Sequence, residues 1–199
     1  KMSQFSSLGA TQSAGAELVP ATDKFDSSCR TNSAYDACVF QQNPLSRSGG
    51  TISADPSARQ AQLSAQALYG VKLTSLAGNG KLENSTFSVQ SLSSPQVSTT
   101  AVALKTDPGT ANSSAFEQAN VYYWINRAAE YFDARTNGSL PAKGKAIKVI
   151  VDDTLTGYDS AKNTIRLKRS DSSAVAWSGD LAVHLFGVAN LMLANPSGW

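Results

Sequence analysis

Residues 180–194 read DLAVHLFGVANLMLA, a nearly unbroken apolar run around His184, the only histidine of the chain. The run predicts a buried helix from about Gly179 to Ala194, stopped by Asn195-Pro196-Ser197-Gly198. Its longest apolar part, Leu181 to Ala194, is too short to span a bilayer and is interrupted by His184 and Asn190. A lone histidine on such a helix has two readings. It is a core histidine satisfied by one hydrogen bond, or it is what remains of a metal site.

Upstream, Asn163–Lys168 (NTIRLK) alternates Ile165 and Leu167 with Arg166 and Lys168, the pattern of a half-exposed strand. KAIKVIVDD, 145–153, reads as an interior strand. Between 114 and about 136 the clearest helix appears. Val121, Trp124, Ile125, Ala128 and Phe132 recur at three- and four-residue steps, and Asn137-Gly138 ends it. Ser114-Ala115-Phe116-Glu117 reads as a capping box at its start. Asn79-Gly80 predicts a hairpin between LYGVKLTSL and KLENSTFSV, with VSTTAVAL, 97–104, as a third strand. Residues 41–60 read as loop, and 1–22 as a flexible polar tail before a single domain, 23–199. Strands, helix, strands, helix predict α+β, with helices on one side of a largely antiparallel sheet.

Composition bounds the function. Charged residues are 16% of 199, against about a quarter usually. Net charge is +2, too mild to imply nucleic acid or an anionic membrane. Lys143, Lys145, Lys148, Lys162, Arg166, Lys168 and Arg169 make 143–169 basic, but no aromatic residues alternate with them as a base-stacking platform would require. Asp152-Asp153 and Asp159 lack EF-hand spacing and read as a turn after a strand. Three N-x-S/T sequons begin at Asn84, Asn112 and Asn137. The spacing of Cys29 and Cys38 excludes C-x-x-C chemistry, and the intervening loop residues favour a local disulfide over two free thiols. A disulfide implies an oxidising compartment, and so a secreted, periplasmic or cell-surface protein. A chain beginning at Lys1 with no signal peptide reads as processed or cut from a longer one.

Metalloproteases place H-E-x-x-H on a helix like 179–194. The i, i+4 spacing sets two imidazoles on one face to hold zinc, and the glutamate serves as general base. Against V-x-H-E-F-G-H this chain reads Val183-His184-Leu185-Phe186-Gly187-Val188. His184, Phe186 and Gly187 fit. Leu185 stands for the base and Val188 for the second ligand. NVYYWINR (120–127) is similar to an N-x-x-Y-W-x-N helix, CVFQQNPLS (38–46) to V-F-x-x-N-P, and LAGNGKLENSTFSV (76–89) to a G-x-G-x-L strand pair. In their shared order, over roughly 36–199, these segments resemble the N-terminal lobe of a thermolysin-type (gluzincin) zinc metalloprotease of the fungalysin-like branch. The resemblance places Asn163 and Thr164 at the start of an edge strand that pairs with substrate backbone.

The departures carry the functional expectation. Leu185 cannot take a proton from water and Val188 cannot bind metal. The residues after Val188 include no Asp or Glu to act as third ligand, and the family's C-terminal helical lobe has no counterpart in this chain. No catalytic residue, no metal and no cofactor are expected, and His184 is expected on the core or the cleft floor. The expected function is a catalytically inactive, metalloprotease-like binding module of an exported protein. It would take a protein or peptide through the former substrate edge at Asn163 and Thr164, and no nucleic acid. Two alternatives stand beside it. One is the N-terminal portion of a larger zinc-metallopeptidase-like hydrolase. The other is a tethered surface or adhesion module, anchored by a lipid-modified cysteine upstream of Lys1.

Overall fold

The computed structural model describes residues 29–49, 51–66, 68–93, 96–99, 102–105, 113–170 and 174–196; the expected tail, 1–22, lies outside them. The elements run β1 (Ala37–Phe40), α1 (Pro44–Arg47), α2 (Pro56–Ser64), β2 (Leu68–Val71), β3 (Phe87–Ser91), α3 (Ser113–Arg135), β4 (Ile147–Asp153), β5 (Gly157–Asp159), β6 (Thr164–Lys168) and α4 (Gly179–Ala194). Short 3-10 turns occupy Val102–Lys105 and Val175–Trp177. The architecture is α+β. β1 and β2 form an antiparallel pair, and the second sheet has the order β3-β4-β6-β5. In that sheet β3, β4 and β6 run parallel, while β5 runs antiparallel to β6. The parallel β3–β4 pair follows from α3, which carries the chain from one strand back to the start of its neighbour.

The helices and strands expected from periodicity are present: α3, α4, β4 and β6. On β4, Ile147, Val149 and Val151 are fully buried, while Lys148 points to solvent. On β6, Ile165 and Leu167 are buried and Lys168 is exposed. The hairpin at Asn79-Gly80 does not form. Gly78 and Gly80 do turn the chain at φ 78 and 79. The flanking strands go elsewhere, β2 onto β1 and β3 onto β4. The described residues of 97–104 form no strand either: Ser98 makes one bridge to Lys81, and Val102–Lys105 is a 3-10 turn. The expected loop 41–60 holds α1 and most of α2. Asp55 caps α2, accepting from Ala58 N at 2.8 Å, with Pro56 in the first turn.

The NVYYWIN segment of α3 binds the layers together. Asn120 Oδ1 accepts from Phe40 N at 2.9 Å and its Nδ2 donates to Ala176 O at 2.8 Å. Trp124 Nε1 donates to Phe40 O at 3.0 Å. Its ring lies so close to Gly179 that a Cβ there would sit 2.5 Å from Cδ1, which sets how near α4 starts to α3. The main core gathers Phe87, Tyr122, Ile125, Val149, Ile165, Leu185 and Phe186. A second cluster packs the Cys29–Cys38 disulfide with Phe40, Leu63, Phe116 and Trp177.

Candidate functional site

α4 begins at Ser178, whose side chain accepts from Leu181 N at 3.2 Å. It is then oriented by its inner residues. Phe186 packs edge-on to Phe87, with ring centroids 6.2 Å apart. Asn190 Oδ1 accepts from Ala142 N at 3.0 Å, and its Nδ2 donates to Phe186 O at 2.8 Å. These contacts turn His184 to solvent, so it is not a core histidine. Leu185 faces the core at 7% exposure, and Val188 is half-buried. Leu191 and Met192 continue the outward face at 57% and 41% exposure. Among the described residues, no three His, Cys, Asp or Glu side chains gather as metal ligands.

Asn163 and Thr164 do not lie on a sheet edge. β6 is flanked by β4 and β5, and Thr164 pairs with both Lys148 and Asp159. Asn163 is a turn residue at φ 48. Its Nδ2 donates to Lys145 O and its Oδ1 accepts from Tyr158 OH, both at 2.8 Å. Asparagine tolerates the left-handed backbone because its short amide bonds locally. That amide is therefore spent inside the fold, and the edge expected for a substrate strand is covered by β5.

Charge is concentrated where the ends of β4 and β6 meet α3. Glu117, expected to cap α3, is instead fully buried. Its Oε1 accepts from Trp177 Nε1 at 3.1 Å, and its Oε2 lies 3.4 Å from Arg169 NH1. The same Arg169 NH1 lies 3.2 Å from Asp152 Oδ1, so one guanidinium nitrogen reaches both carboxyls. Burial, then the neighbouring Asp152 carboxyl, push the Glu117 carboxyl well above its usual range, with Arg169 opposing. Burial acts on Asp152 in the same sense but is outweighed. Hydrogen bonds from Glu117, Ser91 and Ser93, with the charge of Arg169, hold it below the usual range. A polar cleft of about 480 Å³ adjoins the pair, lined by Arg59, Ser93, Asp152, Arg169 and Ser170 among others.

Its partners come from positions 91, 93, 117, 152, 169 and 177, and no sequence spacing links them. Glu117 carries one signal: it is the only charged residue between Asp107 and Arg127. A second polar cluster sits on α3 beside a cleft of about 600 Å³. There Glu130 accepts from Thr74, Ser75 and Asn126 and pairs with Arg127 at 2.6 Å. Several basic residues of 143–169 are paired: Lys143 with Asp133, Lys162 with Asp159, Arg166 with Asp153 and Arg169 with Asp152. No helix of the described residues is long and apolar enough to cross a membrane, and Cys29 is bonded to Cys38, a bond of the kind that persists in oxidising compartments. Comparison with protein-family models, with curated proteins and with solved structures finds no match to this chain.

Proposed function

We propose that this chain is a catalytically inactive, metalloprotease-like binding module of an exported protein, and that the outer face of α4 takes its protein or peptide ligand. One observation carries the reading. The helix that resembles a zinc helix exposes His184, Leu191 and Met192, with Val188 half-buried beside them, and no charged residue lies between Leu181 and Ala194. A metal site needs a second imidazole and a base there; a protein interface needs an apolar centre depleted of charge. The aliphatic stripe suits the second requirement. The strand edge at Asn163 and Thr164 does not serve as the ligand surface, because β5 covers it.

Selection of displayed peptides on the folded chain tests it. Binders weakened tenfold or more by Leu191→Asp with Met192→Asp support the reading. Binders indifferent to both substitutions overturn it. So does one tightly bound zinc with casein cleavage, both lost on His184→Ala. The same face also favours a second reading, the N-terminal portion of a larger metallopeptidase-like hydrolase whose following lobe covers α4. In that case Met192 oxidises rapidly in dilute peroxide in residues 1–199 alone and slowly in the longer protein.

A further inference from the structure

Glu117 has 0% exposure, and charged or polar groups reach it from three elements. Asp152 comes from the end of β4, Arg169 from just beyond β6, and Trp177 from the 3-10 turn before α4. Asp152 is fixed in turn. Its Oδ2 accepts from Ser91 Oγ at 2.5 Å and Ser93 Oγ at 2.9 Å, and its Oδ1 accepts from Arg169 NH1 at 3.2 Å. Its backbone holds φ 60, inside the register shift between Ile150 and Asp153. On the cleft side, Arg59 of α2 is, among the described residues, the other charged group lining the space beside Asp152 and Arg169.

Two carboxyls reached by one guanidinium nitrogen, one of them fully buried, cannot both be ionised at low cost. The surroundings divide the roles. Burial favours the neutral acid at Glu117, and the converging hydroxyls favour the anion at Asp152. We propose that Glu117 and Asp152 hold one proton between them at neutral pH and form a pH-operated clasp, which joins the start of α3 to the ends of β3, β4 and β6 and loosens when the proton leaves. Loss of the proton sets two anions against each other beside one guanidinium. The strained Asp152 is the part free to yield, toward the adjoining cleft. The indole of Trp177, bonded to Glu117, reports the change.

The sign follows from linkage. A carboxyl that is harder to ionise when folded favours the fold while protonated. Its contribution declines as pH rises from the unfolded carboxyl range, about 4.3, toward the raised folded value. Unfolding near neutral pH should therefore release one proton per molecule. The experiment uses a His184→Gln background, so that the chain carries no imidazole. Stability and tryptophan emission are followed from pH 5 to 9, with and without Glu117→Gln. Glutamine keeps a donor for Asp152 and an acceptor for Trp177 but cannot ionise. The parent is expected to lose stability with rising pH and to shift its emission; the glutamine variant should be flat in both. Parallel profiles in the two proteins overturn the proposal. Should Glu117→Gln fail to fold, the parent alone decides. Unfolding enthalpies at pH 7 in buffers of different ionisation enthalpy must show about one proton released, and none released overturns the clasp.

Discussion

Asp152 and Asp153 are adjacent in sequence and serve different arginines. The register shift between Ile150 and Asp153 separates them, so Asp152 meets Arg169 while Asp153 takes Arg166 in two bonds, Nε–Oδ2 at 2.8 Å and NH2–Oδ1 at 2.7 Å. The Arg166 guanidinium pulls the Asp153 carboxyl down to about 2, against burial and with help from the backbone N–H groups of Leu155 and Thr154. A depressed carboxyl stabilises the fold above its unfolded value, about 3.9, and that stabilisation is lost as pH falls toward about 2. Asp153→Asn should therefore cost about 2 kcal/mol at pH 7. That is less than the ~3–5 kcal/mol of a fully buried pair, because Arg166 keeps 28% exposure. Urea unfolding at a series of pH values checks it. The gap between parent and variant should narrow between pH 4 and pH 2. In sequence the adjacent aspartates read as one turn, because a bulge leaves no local signal of which neighbour each side chain will meet.

At the scale of elements, α4 separates the two changes that would restore a zinc motif. Val188→His adds an imidazole on the outward side, four residues from His184, where an i, i+4 pair can share a metal. Zinc binding tighter than the parent's is expected, readable by calorimetry. Leu185→Glu instead puts a carboxylate into the main core and should cost about 3 kcal/mol, seen as a lower urea midpoint. A neutral Leu185→Glu would mean that α4 does not turn this side chain into the core. The same contrast explains what is legible in the sequence. α3 declares itself by three- and four-residue steps and β6 by alternation, while α4 and β4 show as apolar runs because they are buried. α2 buries only Leu63 and has no such period; its legible mark is Asp55-Pro56. Asn79-Gly80 marks a turn, and the chain does turn there. Strand partnership is decided at a distance, and β2 and β3 find partners in different sheets. Glu117 is opaque for the related reason that a capping glutamate and a buried one share the same sequence position. Only the arrival of Arg169 and Trp177 distinguishes them.

For the whole molecule, the disulfide and β1 carry the N-terminal side of the core. All four residues of β1 are buried, and Cys38 lies within it. Cys29 is nine residues away in sequence, with Cα atoms 5.9 Å apart. So short a closed loop is worth roughly 2–3 kcal/mol in the chain-entropy account. Cys29→Ser with Cys38→Ser should lower the melting temperature by several degrees, measured by calorimetry against the oxidised parent. An unchanged melting temperature would mean the second cluster packs as well without its bond. The same link also fixes how the molecule answers to force. Tension applied to the N-terminal segment enters at Cys29 and passes through sulfur into β1, which is paired with β2 and held by Asn120 and Trp124 of α3. Load is then borne by a ladder and a helix together, not by a loop that peels away. Nine residues of slack, roughly 30 Å of contour at full extension, stay locked until the bond is reduced. A pulled single molecule should reveal that length as an added step only after a thiol is supplied.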